Sequence, residues 1–152
     1  MNSFNLSFQS KIPQLKVGRK LPGCALVKFR NKPTIVVAGG EDSNGNQLKN
    51  VEILQFESDI DEDGILDAMI KSTWKDIPNL KFARSNFPSV GNVEGFLTVT
   101  AGDMDSSDPD AQVSVEQFDE DLKAWTVRQD TQLKSPRFGH STLKINKEWC
   151  DG

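Results

Sequence analysis

The stretch TIVVAGG, residues 34–40, is a short apolar segment that ends in two consecutive glycines. Its β-branched residues favour an extended strand. Glycine has no Cβ and readily adopts positive φ angles, so Gly39 and Gly40 allow the chain to leave the strand sharply. The stretch therefore predicts an apolar strand from which the chain exits sharply.

Strand-like segments of the same kind flank this stretch and then recur in the same order. They are short, rich in β-branched and aromatic residues and separated by turn-forming clusters, and no helical period is longer than two turns. The sequence therefore predicts an all-β chain of consecutive four-stranded antiparallel sheets. The first group is GCALVKF (23–29), TIVVA (34–38), VEILQF (51–56) and STWKDI (72–77), and the second is FPSV (87–90), FLTVT (96–100), VSVEQF (113–118) and AWTVR (124–128).

The spacing of landmark residues indicates that the two groups are copies of one repeat. Trp74 and Trp125 lie one repeat apart, and a period of about 50 residues with four strands per unit is typical of β-propeller blades. The step from Gly40 to Trp74 is longer than the matching step from Asp103 to Trp125. The excess equals the length of one acidic stretch, 57–68, which we interpret as an insertion between the third and fourth strands of the first group.

At these positions the sequence resembles the Kelch repeat family, whose members fold as β-propellers. The shared features are a diglycine after an apolar strand, a Val-Glu pair followed by an aromatic residue, a tryptophan, and then a proline and an arginine. In this chain they are Gly39-Gly40, with Gly102-Asp103 in the second copy; Val51-Glu52 and Val115-Glu116; Phe56 and Phe118; Trp74 and Trp125; Pro78 and Pro136; and Arg84 and Arg137. The resemblance implies an incomplete Kelch-type propeller, with an N-terminal extension (1–18), a first blade (19–80), a second blade (81–134) and the start of a third (135–152).

A single blade of this kind leaves apolar faces that only neighbouring blades can cover. Closed propellers use about four to eight blades. Two complete blades are therefore expected to leave an apolar face on each terminal sheet. We expect the chain to associate with the remaining propeller blades or with other copies of itself.

Composition and charge exclude several classes of function. The 152 residues contain 18 Lys+Arg and 22 Asp+Glu, a formal charge of −4, which provides no general attraction for nucleic acid or anionic lipid. No stretch reaches the roughly 18 apolar residues of a transmembrane helix, and the N-terminus lacks the pattern of a signal peptide. We expect a cytoplasmic protein that binds neither nucleic acid nor membrane.

One segment has part of the residue pattern of a calcium site. Four carboxylates of the insertion are spaced as in the start of an EF-hand or dockerin-type calcium loop, with Gly64 at the turn. The twelfth position of that loop is Ile70, so the bidentate carboxylate that completes an EF-hand is absent. Weak calcium binding and an ordinary solvated acidic loop both stay open, and no other cofactor is expected. The four carboxylates are Asp59, Asp61, Asp63 and Asp67.

Residue types suited to catalysis are few. His140 is the only histidine in the sequence, and there is no tyrosine. Adjacent residues of a strand point to opposite faces, so His140 and Ser141 cannot form a base and nucleophile pair. The sequence therefore predicts no catalytic residue and favours a protein that is not an enzyme.

Strand direction predicts which loops form a binding face. The connections between second and third strands and between successive blades lie on one side, and the insertion lies on the other. The first side combines carboxylates, amides and two arginines on a rigid scaffold, which suits a polar protein-binding surface. Because four aspartates crowd one loop, the expected partner is a basic peptide or protein patch. The predicted binding residues are Glu41, Asp42, Asn44, Arg84, Asp103, Asp105, Asp108, Asp110 and Arg137.

Two alternatives stay open at this point. Arg84 and Arg137 either contact a partner or brace their own blades through hydrogen bonds to neighbouring loops. For the whole chain, the Kelch resemblance implies protein binding, as in ubiquitin-ligase substrate adaptors and cytoskeletal scaffolds, and this is the favoured function. The alternative is a segment of a Kelch-like propeller enzyme that acts on carbohydrate, of the sugar oxidase or sialic-acid isomerase type.

Overall fold

The computed structural model describes residues 13–56, 72–103 and 109–139. These residues form two four-stranded antiparallel sheets, which confirms the predicted all-β fold. Within each sheet the strands lie in chain order. Across the described ranges, no helix is long and apolar enough to cross a membrane. The first sheet contains β1 (Gly23–Phe29), β2 (Lys32–Ala38), β3 (Val51–Gln55) and β4 (Lys75–Ile77); the second contains β5 (Ser89–Val93), β6 (Phe96–Thr100), β7 (Val115–Asp119) and β8 (Ala124–Arg128), with one helical turn, α1 (Pro109–Gln112), between β6 and β7.

The two sheets share one pairing register. Glu52 on β3 pairs with Asp76 on β4, and Glu116 on β7 pairs with Val127 on β8. Trp74 lies two positions before Asp76, and Trp125 lies two positions before Val127. The two tryptophans therefore occupy equivalent positions, as the repeat predicts. They are Trp74, immediately before β4, and Trp125, within β8.

The sheets pack against each other through a shared apolar core. Trp125 is 1% exposed, and its ring meets that of Phe118 edge-on with centroids 5.5 Å apart. The backbones approach closely at Gly23, where a Cβ atom would lie 2.2 Å from the carbonyl oxygen of Pro88. A large ring therefore fills the wedge between two twisted sheets, as expected for neighbouring blades. The core includes Phe29, Val36, Ala38, Val51 and Ile53 of the first sheet and Val90, Leu97, Val99, Phe118 and Trp125 of the second.

The diglycine turn uses a different residue pair in the second sheet from the one predicted. Gly39 and Gly40 have φ angles of 65° and 98°, and Ala101 and Gly102 have φ angles of 57° and 89°. The second turn is therefore Ala101-Gly102 and not Gly102-Asp103. A non-glycine residue in this left-handed region costs about 1–3 kcal/mol, and the surrounding contacts must supply that energy.

The face of the second sheet that turns away from the first is polar at its centre, which corrects the apolar face expected there. Cross-strand pairing places Thr98, Gln117 and Thr126 side by side on this face. The amide of Gln117 donates to Thr98 Oγ1 at 3.3 Å and accepts from the Arg128 guanidinium at 2.5 Å. These side chains satisfy one another, so the face does not need apolar cover. The positions of the first sheet that match Thr98, Gln117 and Arg128 hold Val36, Ile53 and Ile77, which are apolar residues of the inter-sheet core.

Candidate partner-binding face

A short segment crosses each sheet and contacts it in the same way. The segments are PQLKVGR (13–19) and PNLKFAR (78–84), which share proline, leucine, lysine and arginine at the same four positions. We term them straps. The indole Nε1 of Trp74 donates to the carbonyl of Pro13 at 2.9 Å, and that of Trp125 donates to the carbonyl of Pro78 at 2.7 Å. The predicted boundary between an N-terminal extension and the first blade therefore falls inside a strap whose described residues contact the first sheet.

A buried glutamate on β3 holds the first strap. The carboxylate of Glu52 accepts hydrogen bonds from the backbone amides of Lys16 at 2.7 Å and Val17 at 3.2 Å. It also pairs with the guanidinium of Arg19 at 2.5 Å, and both side chains of this ion pair are 0% exposed. Three donors thus converge on one carboxylate, which offsets the cost of burying its charge.

Glu116 on β7 holds the second strap with the same three kinds of donor. Its carboxylate accepts from the backbone amides of Lys81 at 2.6 Å and Phe82 at 3.3 Å. It pairs with Arg84 at 2.6 Å, and again both side chains are 0% exposed. The strap, the buried glutamate and the tryptophan therefore form one structural unit that occurs twice in the chain.

Arg84 is an interior residue, which corrects its assignment to a partner-binding surface. Besides Glu116, its guanidinium donates to the carbonyl of Ala101 at 2.8 Å and to Ser114 Oγ at 2.9 Å. Burial lowers the pKa of the Arg84 guanidinium from its ordinary value, and the negative charge of Glu116 opposes that effect. Of the two roles that the sequence left open for Arg84, the structure shows the bracing role.

A third strap sequence follows the second sheet. LKSPR (133–137) repeats the leucine, lysine and arginine of the first two straps. Its backbone is held in the same manner, because the Gly102 amide donates to the Arg137 carbonyl at 3.1 Å, as the Gly40 amide donates to the Arg84 carbonyl at 2.8 Å. The side chain of Arg137 is exposed and donates to Ser135 Oγ at 3.3 Å. No described carboxylate forms an ion pair with it, in contrast to its counterparts in the first two straps.

The predicted binding side contains a hydrogen-bonded junction between the two sheets. The buried hydroxyl of Ser85 donates to the carboxylate of Glu41 and accepts from the side-chain amide of Gln47, each at 3.1 Å. The backbones of Ser85 and Asp103 exchange two hydrogen bonds of 2.9 Å. Loops of both sheets are thereby joined into one rigid surface. We term this surface the loop face and define it by the described residues 41–50, 85–87 and 103.

Two carboxylates of the loop face are ionised at neutral pH. Hydrogen bonds, chiefly from Lys20, hold the pKa of Glu41 below its usual range. The pKa of Asp42 is lowered by hydrogen bonds from the side chain and backbone of Asn46. Asp42 Oδ1 also accepts from the backbone amide of Asn44 at 2.8 Å, so this carboxylate orders its own loop. Asn44, which is also among the predicted binding residues, takes part in this loop through its backbone amide.

Phe87 is an exposed aromatic residue beside the junction, and the sequence placed it in a strand that in the structure begins at Ser89. Its side chain is 51% exposed, and its φ angle is 58°, next to Asn86 at 54°. The Phe87 amide donates to the Leu21 carbonyl at 3.1 Å, and the Asn86 side chain donates to Asp103 Oδ2 at 3.2 Å. Contacts from both sheets thus hold a bulky ring in solvent, in a backbone conformation that costs about 1–3 kcal/mol per residue.

Comparison with known proteins shows a likeness in fold. No protein-family model and no curated protein matches the chain. Among solved structures, the chain is similar to a fungal alcohol oxidase of the AA5 family in complex with copper, with a TM-score of 0.53 and 16% sequence identity. The match covers 79% of this chain and 24% of the oxidase chain. The chain has an incomplete β-propeller-like fold.

Several predicted site residues lie outside the described part of the chain, and Asp110 lies in α1 with only its own backbone described. Among the residues in the three described ranges, no group of three or more His, Cys, Asp or Glu side chains is placed to hold a metal ion. Calcium binding by the insertion stays a prediction. The residues outside the described ranges are Asp59, Asp61, Asp63, Asp67, Asp105 and Asp108.

Proposed function

We propose that this chain contributes two Kelch-type blades to a propeller that binds another protein through its loop face. The observation that supports this most is Phe87, an aromatic ring held half-exposed on a rigid surface by contacts from both sheets. Aromatic residues dominate the binding energy of protein interfaces. Strained backbone conformations persist where the surrounding structure over-determines them, and they concentrate at functional sites.

The charges around Phe87 favour a basic partner. Lys20 lies 3.0 Å from Glu41 and neutralises it. Asp42 is stabilised by amides, which carry no net charge, and Asp103 is exposed and accepts a hydrogen bond from the side chain of Asn86, the residue before Phe87. A peptide or protein patch that carries an apolar group flanked by Lys or Arg matches this arrangement, with its apolar group on Phe87 and its cations near the two aspartates.

Phe87→Ala is expected to weaken binding of the partner by roughly tenfold or more, as for other hot-spot aromatic residues. The ring is half-exposed, so the substitution is expected to change the free energy of unfolding by less than about 0.5 kcal/mol. Affinity purification from the native cells with quantitative mass spectrometry identifies the proteins whose recovery depends on Phe87. Titration of the purified partner then measures the change in affinity.

The matched control is Leu122→Ala. Leu122 is also a large exposed apolar residue, at 67%, and it lies in the β7–β8 turn on the opposite side of the sheets. The Leu122 variant is expected to retain every partner that the unchanged protein binds. Loss of partners by the Leu122 variant, with full binding by the Phe87 variant, would place the interaction on the insertion side and contradict the proposal.

A second candidate function is that of a segment of a propeller enzyme acting on carbohydrates or other alcohols. The supporting observation is the fold likeness to an alcohol oxidase solved with copper. Copper content and alcohol oxidation, measured on the protein isolated from its native source, distinguish the two candidates. The enzyme proposal requires bound copper and turnover, and the binding proposal expects neither.

A further inference from the structure

We infer that Asp103 binds a basic side chain of the partner, in the position that the Lys20 ammonium group occupies at Glu41 in the first repeat. Lys20 thereby sets how many cations of a partner the loop face accepts. The inference rests on the proposed binding of a protein through the loop face, and it names the residues that select the charge of that protein.

Two residue pairs lie at equivalent positions of the two repeats. Lys20 follows the arginine of the first strap, and Ser85 follows that of the second. Glu41 and Asp103 each follow a turn whose two residues have positive φ angles. The backbones of Lys20 and Glu41 exchange hydrogen bonds of 3.0 and 2.8 Å. Those of Ser85 and Asp103 exchange two of 2.9 Å, so each carboxylate lies opposite the residue that follows a strap.

The two pairs differ in the charge beside the carboxylate. Lys20 Nζ lies 3.0 Å from Glu41 Oε2, and the lysine side chain is 62% exposed. Ser85 carries no charge, and no cation among the described residues forms an ion pair with Asp103. The Asp103 carboxylate accepts a hydrogen bond from the neutral side chain of Asn86 at 3.2 Å. Asp103 is therefore the open copy of a cation site that Lys20 fills in the first repeat.

Asp42 does not offer an equivalent site, because its carboxylate orders its own loop. Oδ1 accepts from the backbone amides of Asn44 at 2.8 Å and Asn46 at 2.9 Å, and Oδ2 accepts from the Asn46 side chain at 2.9 Å. Of the two aspartates near which the partner's cations are expected, Asp103 is thus the one that is free to contact them directly.

An open cleft of about 460 Å³ lies at the filled copy of the site and is lined by residues 18–20 and 41–43. It gives a partner's side chain access to Glu41, but only in competition with Lys20. A group that belongs to the same chain is present at a high effective concentration, so a partner's cation competes poorly with it. At these two carboxylates the unchanged protein therefore accepts one basic side chain, and a protein without the Lys20 charge accepts two.

Peptide binding to the full chain tests the role of Asp103. The probes are heptapeptides of glycine and serine with one leucine and one arginine at every relative spacing, and the same peptides with uncharged citrulline in place of arginine. The unchanged protein is expected to prefer arginine by roughly two- to fivefold, as for an exposed charge pair. Asp103→Asn is expected to abolish this preference. Asp121→Asn, at an exposed aspartate of the β7–β8 turn, is the matched control and is expected to keep it.

Heptapeptides with one leucine and two arginines test the role of Lys20. A second arginine is expected to raise the affinity for the Lys20→Gln variant by roughly two- to fivefold, because Glu41 is then open, and that for the unchanged protein by less than about twofold. Lys16→Gln removes the same charge from an exposed ion pair with Asp76 and is expected to behave as the unchanged protein. Equal gains for the two lysine variants would overturn the inference, because they would show a general effect of net charge.

The same peptides separate a failure of this inference from a failure of the proposed function. If Phe87→Ala abolishes peptide binding while Asp103→Asn keeps the preference for arginine, the loop face binds partners but Asp103 is not its cation site, and the inference is wrong. No preference for arginine in the unchanged protein would overturn the inference as well. If neither substitution changes peptide binding, both the inference and the proposed function are wrong.

Discussion

Replacing Arg84 with methionine is expected to lower the free energy of unfolding by about 3–5 kcal/mol, because the change leaves the buried carboxylate of Glu116 without its cation. Both side chains are 0% exposed, so water cannot take the place of the guanidinium. Urea unfolding followed by tryptophan fluorescence measures the loss. Folded domains are stable by only about 5–15 kcal/mol, so failure of the variant to fold is a result in the expected direction.

Two further variants separate the buried pair from a general effect of losing an arginine. Arg30→Met breaks the exposed ion pair with Glu120 and is expected to cost about 0–1 kcal/mol. The double change Arg84→Met plus Glu116→Leu removes both buried charges and is expected to recover much of the loss, since an apolar pair is tolerated where a single buried charge is not. Equal losses for the Arg84 and Arg30 single variants would contradict the assigned role of the buried pair.

Trp125→Ala is expected to destabilise the chain by a comparable amount, about 3–5 kcal/mol. The ring is 1% exposed, packs edge-on against Phe118 and donates a hydrogen bond to the Pro78 carbonyl. Its loss would open a cavity at the contact between the two sheets and release the second strap. Chemical unfolding monitored by circular dichroism measures the change.

Trp125→Phe keeps most of the apolar volume and loses the indole donor, so an intermediate cost is expected, of which about 0.5–1.5 kcal/mol is the hydrogen bond. Leu122→Ala, at a 67% exposed position, is expected to change the stability by less than about 0.5 kcal/mol. If Trp125→Ala were as mild as Leu122→Ala, the tryptophan would not lie in the inter-sheet core.

The strands could be predicted from the sequence because the residue patterns that mark them lie within each strand and its adjoining turns. The diglycine at Gly39 and Gly40, the Val-Glu pairs and the recurring tryptophan specify the sheet and its order. The true second turn at Ala101-Gly102 was missed because alanine seldom adopts a positive φ. Only contacts with neighbouring elements decide that it does so here.

The straps were harder to recognise because the insertion makes their spacing uneven. The step from LKVGR to LKFAR is longer than the step from LKFAR to LKSPR, and the excess is again the length of the insertion, 57–68. Matching of these segments across the insertion is the signal that could have revealed the first strap. It would also have indicated that Arg84 is a structural residue, since an arginine that recurs at the same position of a repeated segment is expected to make the same contact with each sheet.

The candidate site was predicted only in part, for two physical reasons. Strand direction placed Glu41, Asp42 and Asp103 on one side, and the structure joins their loops through Ser85. Phe87 has no local signal, because its left-handed backbone and exposure arise with the hydrogen bond from its amide to Leu21 and the hydrogen bond from Asn86 to Asp103. The polar face of the second sheet was likewise missed. The alternation of side chains along a strand shows which residues share a face, but it does not show which of the two faces packs against the neighbouring sheet.

Hydrogen exchange of the native protein tests the central claim most directly, namely that both sheets are copies of one unit locked by a strap and a buried glutamate. The backbone amides of Lys16 and Val17 donate to Glu52 as those of Lys81 and Phe82 donate to Glu116. Peptides covering residues 13–19 and 78–84 are therefore expected to show similar strong protection. Rapid, complete exchange in 13–19 beside slow exchange in 78–84 would contradict the account, because it would show that the first sheet lacks its strap.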